Sequence, residues 1–198
     1  MLGLLSERFA ALYCAAAEHH LRQPLLAISL YASALEARAA DPDALRVLRG
    51  MQFSLHVLEQ HLDILLDLSK LEAGLVKPRL AVIHLTPLLE QAIEAQRPIA
   101  AHRGVELRIV RTSASVRCDP ALLRRLLEHL LTSAVCHATK GRIIVGCRRS
   151  GTRRVRLQIA GFPTQEADYS IVQSFARRLG HAVTVRPAAL SIDLERAG

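Results

Sequence analysis

Two adjacent histidines, His19 and His20, stand within the first long apolar repeat of the sequence. They belong to residues 18–25, which run Glu-His-His-Leu-Arg-Gln-Pro-Leu and follow three alanines at 15–17. A neutral imidazole nitrogen is a competent phosphoryl acceptor near pH 7, because the unperturbed pKa of histidine is about 6.5. Beside a patch of small alanines, such a ring can be reached by a partner protein. The pair is therefore chemically capable of phosphoryl acceptance, whereas for an arbitrary histidine pair two surface residues with no chemistry are the favoured interpretation.

Arg22 and Gln23 follow the histidines at spacings that bring both near His19 on a helix. Arg22 lies one turn away, where a guanidinium can pair with phosphoryl oxygens. Gln23 stands four residues after His19 and therefore on the same helix face. A surface arginine and a glutamine that lines a helical bundle are the plainer alternatives. Pro24 removes the hydrogen bond to the carbonyl of His20, so a kink just after the histidines is expected.

Two long helices must position this stretch. Apolar residues at spacings of three and four predict one helix over about residues 4–40 and a second over about 44–71, separated by an Asp-Pro-Asp turn. The second helix carries a heptad seam of apolar residues, namely Leu48, Met51, Leu55, Leu58, Leu62 and Leu65. Since two helices alone cannot bury this much apolar surface, we predict a homodimer in which two hairpins form an antiparallel four-helix bundle. Packing of the hairpin on the rest of its own chain is the alternative.

The second half of the sequence alternates between strand and helix patterns after a short linker at 75–78. Strands are predicted at residues 81–84, 105–109, 116–118, 143–147, 155–159, 183–185 and 190–194. Helices are predicted from Thr86 to about His102, from Pro120 until Gly141, and from Thr164 to Gly180. This order predicts an α+β fold of two domains: a helical hairpin over 1–74 and, over 75–198, a two-layer sandwich with helices on one face of a sheet.

Composition bounds the possible functions. The chain has 198 residues, 51% of them hydrophobic and none of them Trp, which suits aliphatic cores in one or two small domains. It contains no run of eighteen apolar residues and no basic leader followed by an apolar segment, so neither a membrane span nor a secretion signal is expected. The four cysteines are scattered and form no Cys-x-x-Cys pair, which predicts reduced thiols, a cytoplasmic location and no metal site.

The net charge of +8 raises the question of nucleic-acid binding. The densest positive charge lies around the turn at 150–151 and comprises Arg148, Arg149, Arg153, Arg154 and Arg156. No aromatic residue is interleaved there to stack on bases, and no helix-turn-helix or zinc-finger spacing occurs. We therefore predict a solvated hairpin rather than a nucleic-acid site. Positive charge can also steer an acidic partner protein.

The block around His19, followed by two long helices that end in Leu-Ser-Lys-Leu-Glu-Ala-Gly at 68–74, resembles the phosphoacceptor region of two-component histidine kinases. The order of elements after it is similar to that of their ATP-binding domain, so the resemblance covers nearly the whole chain. It implies that His19 is the phosphoacceptor. His20 is the alternative acceptor, and it stands where the kinases usually have an acidic residue. The resemblance also implies that Gln23 can orient water to dephosphorylate a receiver, as a second role.

The departures from the kinase pattern concern the ATP site. His129 and Ser133 stand where the kinases carry two asparagines that hold magnesium and phosphates. Gly161 stands where an aspartate bonds the adenine amino group. Only about five residues separate Pro163 from the next predicted helix, which is too few for the glycine-rich lid. Because burying unmatched phosphate charge is costly, we expect no ATP binding and no cofactor on this chain.

A phosphoacceptor without an ATP site resembles a dimeric histidine phosphotransferase of a phosphorelay. This implies that His19 takes a phosphoryl group from the aspartate of one receiver domain and passes it to another, assisted by Arg22 and Gln23. The implied partners are response-regulator receiver domains, which bring their own magnesium, and a hybrid histidine kinase. A non-catalytic pseudokinase adaptor, which dimerises and binds a kinase or response regulator, is the alternative. The missing acidic neighbour of His19 favours it.

Overall fold

In a computed structural model, the chain is described over residues 2–165 and 169–197, with side chains described from Glu18 onward within those ranges. The chain divides into two compact units, Met1–Val76 and Lys77–Gly198. The first unit is helical and the second combines helices with strands. The described helices include none with the length and apolar character needed to cross a bilayer.

Two helices form the first unit: α1, Leu2–Glu36, and α2, Pro42–Glu72. The Asp41 side chain accepts hydrogen bonds from the backbone N–H groups of Asp43 and Ala44, and Pro42 occupies the first turn of α2. A capping aspartate followed by proline satisfies the free N–H groups of a new helix, so this turn starts α2 as predicted. Helix α1 includes Pro24 and continues beyond it.

The first helix ends earlier than the predicted limit near residue 40, because residues 37–41 form the turn that reverses the chain. The alanines at 15–17, which the sequence analysis placed beside the histidines, lie outside the described side chains. From Glu18 onward, the two helices pack along each other as a hairpin. Ala32 and Ile64 are almost completely buried in it.

The heptad seam of α2 divides between two environments. Alternate members are buried or half-buried, namely Leu48, Leu55 and Leu62. The other members, Met51, Leu58 and Leu65, are 43%, 51% and 44% exposed. Because a step of three residues rotates about 300° around a helix axis, the two sets lie on neighbouring stripes. Exposed apolar side chains also follow α1, at Leu21, Ile28, Tyr31 and Leu35. The expectation that two helices cannot bury this surface is met, and the homodimer stays a prediction.

The described residues of the second unit form seven strands and three helices. In chain order they are β1, Ala81–His84; α3, Leu85–His102; β2, Val105–Ile109; β3, Ser115–Cys118; α4, Pro120–His137; β4, Gly141–Ser150; β5, Arg154–Ala160; α5, Ser170–Arg178; β6, Ala182–Arg186; and β7, Ala189–Glu195. Five strands form one sheet in the order β2-β4-β5-β7-β6, and β1 pairs with β3 separately. In the large sheet, β2 and β4 are parallel and the other neighbours are antiparallel.

One face of the large sheet forms the core of this unit. Alternate strand residues such as Ile143, Leu157 and Ile192 are buried, whereas the residues between them are mostly exposed or half-buried, apart from the buried Ser191 on β7. Helix α4 is buried along most of its length, and α3 packs on α4 and on β2. The period of two in the strands and the apolar helices therefore produce the predicted layers. The α+β class, with a helical hairpin before a sheet domain, is confirmed.

Several predicted helix limits are wrong. At the start of α3, the threonine that was expected to cap the helix forms hydrogen bonds to a loop instead. The N-cap of α3 is His84 and not Thr86. The Thr86 hydroxyl donates to the carbonyl oxygen of Thr112 at 2.7 Å and accepts from its N–H at 2.9 Å. Helix α4 ends at His137, and Gly141 begins β4 with φ 112°, a backbone conformation that favours glycine.

The last helix also begins later than predicted, at Ser170 instead of Thr164. The buried hydroxyl of Thr164 donates to the carbonyl oxygen of Arg186 and ties its segment to the end of β6. Three of the cysteines are described: Cys118 is buried, Cys136 and Cys147 are half-buried, and these three thiols are not bridged. Cys14 lies outside the described side chains.

Candidate functional site

His19 is exposed on α1 and borders a groove of about 780 Å³ in the hairpin. Arg22 and Gln23 border the same groove, so the structure brings these three predicted residues together. His20 is also exposed, and its ring lies edge-on to that of His19 with 5.8 Å between the ring centroids. His20 is not among the described residues that line the groove. The helix geometry thus gives the two histidines different surroundings although they are adjacent in sequence.

The groove combines apolar and acidic side chains. Leu25, Leu26 and Leu62 supply its apolar part. Its carboxylates are those of Glu18, Glu59 and Asp63. A partner that seats on the groove therefore meets apolar contact surface next to the imidazole of His19.

Arg22 bridges the two helices beside His19. One terminal guanidinium nitrogen of Arg22 lies 2.6 Å from Oδ1 of Asp63 on α2 and 3.1 Å from Oε1 of Glu18, one turn back on α1. A guanidinium bound by two carboxylates is already neutralised. The sequence analysis placed Arg22 on a phosphoryl group, whereas in this structure one terminal nitrogen of its guanidinium faces two carboxylates, and its other nitrogens make no hydrogen bond with a described residue.

Glu18 is shared between two cations. Its Oε2 accepts from Nζ of Lys70 at 2.6 Å, while its Oε1 faces Arg22. Glu18, Arg22, Asp63 and Lys70 thus form one ion network that joins α1 to α2 next to His19. Sequence reasoning missed Asp63 and Lys70. The available signal was their spacing of seven residues, which places both on the same face of α2.

In the second unit, the positions that correspond to the asparagines of the kinases lie on α4. His129 is buried and Ser133 is half-buried. The Ser133 hydroxyl donates to the phenolic oxygen of Tyr169 at 3.5 Å. Burial raises the pKa of the Tyr169 phenol, so the ring occupies this place as a neutral group. Sequence reasoning missed Tyr169 because it lies in the segment that was predicted to be helical.

Gly161 directly follows β5 and has φ 103°. A Cβ atom built there would lie 2.1 Å from the backbone carbonyl oxygen of Arg142 on the neighbouring strand. Real Cβ atoms do not approach a backbone oxygen so closely, and the obstruction is backbone rather than a flexible side chain. An aspartate at this position would therefore require the local backbone to shift.

Comparison with known proteins identifies the first unit. The family model of the His Kinase A (phospho-acceptor) domain matches residues 14–74. Sensor-like histidine kinase SenX3 of Mycolicibacterium smegmatis is 24% identical over 149 residues, which are 74% of this chain and 39% of SenX3. Sensor histidine kinase MtrB of Mycolicibacterium paratuberculosis is 26% identical over 140 residues, which are 69% of this chain and 24% of MtrB. The chain thus spans well under half the length of these relatives.

Solved structures show the same fold over most of the chain. The Acinetobacter baumannii histidine kinase AdeS matches with a TM-score of 0.63 and 16% identity, covering 91% of this chain and 98% of AdeS. Full-length ShkA in complex with AMPPNP matches with a TM-score of 0.63 and 20% identity, covering 94% of this chain and 46% of ShkA. Histidine kinase ThkA in complex with the response regulator protein TrrA matches with a TM-score of 0.58 and 16% identity, covering 92% of this chain and 60% of ThkA. The chain is therefore histidine kinase-like: residues 14–74 match the His Kinase A (phospho-acceptor) domain, and the fold is that of solved histidine kinases.

Proposed function

We propose that this protein is a histidine phosphotransferase of a phosphorelay, which moves phosphoryl groups between receiver-domain aspartates through His19 without binding ATP. The observation that carries the proposal is the backbone at Gly161, where a side chain would meet the carbonyl oxygen of Arg142. A phosphoacceptor domain attached to a sheet domain that has glycine in place of the adenine-binding aspartate, in a backbone conformation that only glycine fits, needs its phosphoryl group from another protein.

The chemistry requires one ring nitrogen of His19 to attack the phosphorus of an aspartyl phosphate in line. A P–N bond forms while the P–O bond breaks, and the aspartate carboxylate leaves with the electron pair. The imidazole keeps its proton on the other nitrogen. The second transfer reverses these steps on another receiver. Magnesium is expected on the receiver, so this chain contributes a positioned nucleophile and a docking surface.

The remaining ATP-site positions support transfer without nucleotide. Asparagine side chains donate and accept hydrogen bonds, whereas here His129 is buried and Ser133 faces the neutral Tyr169. The segment between Pro163 and α5 comprises residues 164–169, of which 164, 165 and 169 are described. Triphosphate charge placed among these groups would lack the donors and the metal ligands that offset its loss of hydration.

A receiver domain is the partner that this surface fits. ThkA, which has a similar fold, was solved in complex with a response regulator. In this chain, Leu26 and Leu30 are exposed at spacings of seven and eleven residues from His19, so an apolar stripe follows the histidine along α1. We expect the receiver to pack on this stripe, and we retain a hybrid histidine kinase as the protein that supplies the first receiver.

The same unit supports a homodimer. Exposed apolar residues follow both helices at heptad spacing, and a second hairpin would bury them in a four-helix bundle. The unbridged thiols of Cys118, Cys136 and Cys147 also support the proposed cytoplasmic location.

A non-catalytic adaptor is the second candidate, and the ion network favours it. Arg22 is bound by Glu18 and Asp63, and Glu18 is bound by Lys70 as well. In such a protein the network would serve to rigidify a docking surface, and no phosphoryl group would reach His19.

Incubation with phosphorylated receiver domains separates the two functions. We expect acid-labile phosphate on the wild-type protein and on His20→Ala, and none on His19→Ala. Phosphate that persists on His19→Ala and disappears from His20→Ala would assign the acceptor to His20. Absence of phosphate from the wild type across all receivers of the source organism would favour the adaptor. Calorimetric titration with Mg-ATP should show no binding, and saturable binding would contradict transfer without nucleotide.

A further inference from the structure

A polar pocket of about 380 Å³ lies in the second unit, where β4 ends and β5 begins. Arg148, Arg149 and Arg196 border it together with the loop at 112–115. Gly161 lies at the other end of these two strands, because it follows β5 and faces the start of β4. The pocket is therefore separate from the positions that correspond to the ATP site of the kinases.

The three arginines of this pocket differ from six others in the same unit that pair with carboxylates. Arginines that pair with carboxylates there are Arg97, Arg108, Arg111, Arg124, Arg142 and Arg156. The side chains of Arg148, Arg149 and Arg196 make no ion pair or hydrogen bond with any described residue. The carboxylate that interacts electrostatically with Arg148 is Asp193, which Arg156 already binds through two hydrogen bonds. Arg149 and Arg196 thus bring positive charge to this pocket without an ion pair to a described carboxylate. Arg148 lies opposite Arg156 and therefore places its side chain on the sheet face that carries Asp193.

The remaining lining adds hydrogen-bonding hydroxyl groups and no negative charge. Thr112, Ser113 and Ser115 present hydroxyls, and that of Ser113 makes no hydrogen bond in the described part of the chain. Burial raises the pKa of the Cys147 thiol to about 12, so this group stays neutral. Among the described lining residues there is no aspartate or glutamate. Guanidinium groups beside hydroxyls are the donors that bind phosphoryl oxygens in proteins.

We propose that this pocket binds a small organic anion that carries a phosphoryl or pyrophosphoryl group. Its volume of about 380 Å³ lies within the usual size of small-molecule pockets, roughly 300–1,000 Å³. Val82 and Val155 supply an apolar wall for the uncharged part of the ligand. The hairpin arginines, which the sequence analysis interpreted as solvated, become one side of a binding site once Arg196 is brought beside them.

A small anion fits this surface better than a nucleic acid. The described lining residues include no aromatic side chain on which a base could stack. The charges also converge on one pocket, whereas a nucleic-acid backbone needs a stripe of contacts along its length. The site lies in a different unit from His19, so its test stands apart from the test of phosphotransfer.

Isothermal titration calorimetry with sodium pyrophosphate at low ionic strength tests the proposal on the full chain. We expect one saturable site per chain, weakened on the order of tenfold or more by Arg149→Gln and again by Arg196→Gln, since each substitution removes a charged donor. The matched control is Arg177→Gln, which removes an exposed arginine of α5 that does not border the pocket and should leave affinity unchanged.

Hydrogen exchange locates the same site without any substitution. Pyrophosphate should slow amide exchange at 112–115 and 147–149 and leave 129–133 and 161–164 unchanged. Three results would overturn the proposal: no binding to the wild type, equal weakening by Arg177→Gln, or protection confined to the 129–133 and 161–164 segments. Single-stranded DNA that binds more tightly than pyrophosphate, and equally well to the Arg149→Gln Arg196→Gln variant, would also overturn it.

Discussion

At the scale of single residues, the surroundings of His19 are decided by charges that lie on the other helix. Asp63 is forty-one residues from Arg22 in sequence, yet its carboxylate lies 2.6 Å from the guanidinium. Half-exposed ion pairs of this kind contribute little to stability, because water screens them and the side chains lose freedom. Such a pair can therefore open at small cost when a phosphoryl group arrives. Arg22 can therefore act in transfer, or it can serve only to hold the two helices together.

Two substitutions in this pair distinguish those roles. If Arg22 binds phosphoryl oxygens, Arg22→Ala should slow transfer from a phosphorylated receiver by about tenfold, because a charged hydrogen bond is lost. Asp63→Asn should leave the rate equal or raise it, because Arg22 is released. Rapid-quench measurement of phosphate on His19 gives both rates. Asp43→Asn is the matched control, since Asp43 is an exposed acid at the start of α2 that pairs with Arg46.

A purely structural role predicts another outcome. Both Arg22→Ala and Asp63→Asn would then slow transfer to the same extent, because each removes the same contact between α1 and α2. Thermal unfolding of the two variants should show equal small decreases in Tm under either role. The transfer rates, and not the stabilities, therefore distinguish the two roles.

At the scale of elements, the strand register creates charge pairs that the sequence pattern does not reveal. Arg156 on β5 is directly opposite Asp193 on β7. Its Nε and a terminal nitrogen reach the two carboxylate oxygens at 2.7 and 3.0 Å. Directly opposed residues on neighbouring strands are the units that stabilise a sheet. This pair therefore links the centre of the five-stranded sheet on the face opposite the core.

The pair predicts a pH dependence of stability. Hydrogen bonds from Arg156 hold the pKa of the Asp193 carboxyl below its usual value of 3.8. A lowered folded-state pKa contributes stability that is fully present above the unfolded value and is lost as the pH falls through the folded value. Asp193→Asn should therefore lower the urea midpoint near neutral pH and flatten its decrease below pH 3.8. Urea unfolding at a series of pH values measures both effects.

Glu195→Gln is the control for this prediction, because Glu195 ends the same strand and makes no ion pair with the described residues. It should retain the acid-dependent decrease of the wild type. A decrease for Asp193→Asn as steep as that of the wild type would show that other carboxyls carry the effect, such as Glu106 with Arg108 and Arg142.

At the scale of the whole molecule, the two units bury their own apolar residues to different extents. The sheet unit buries the apolar residues of its strands and of α4 within itself. The hairpin instead leaves Met51, Leu58 and Leu65 exposed on α2 and further apolar residues exposed on α1. Exposed apolar stripes at heptad spacing are typical of helices that associate with another copy. This asymmetry supports assembly through the first unit.

The proposed homodimer can be tested with one substitution that places a charge in the expected interface. Leu58→Glu should shift the protein from dimer to monomer in sedimentation equilibrium, because a buried leucine contributes about 1.5–3 kcal/mol and the symmetric interface contains two copies. The dissociation constant should therefore rise by roughly a hundredfold or more. Leu80→Glu is the control, since Leu80 is 56% exposed and lies outside the hairpin. A wild-type monomer, or equal dissociation by both variants, would contradict the dimer.

The sequence by itself determined the elements of this protein, because hydrophobic periodicity and capping residues act over a few positions. The Asp41-Pro42 and Asp119-Pro120 steps each begin a helix as predicted. The alternation of apolar and polar residues at 155–159 produced a strand with one buried face. Two of the predicted limits that proved wrong, at Thr86 and Thr164, are positions where a hydroxyl found a partner more than twenty residues away.

Only the tertiary structure decided which distant side chains meet. The register of α1 against α2 gave Arg22 the partner Asp63, and it left half of the predicted seam exposed. The approach of Arg142 to Gly161 gave that position a backbone that fits glycine and no larger residue. The path of β7 brought Arg196 beside the hairpin arginines. Such contacts depend on how elements pack, and local periodicity carries no information about that register.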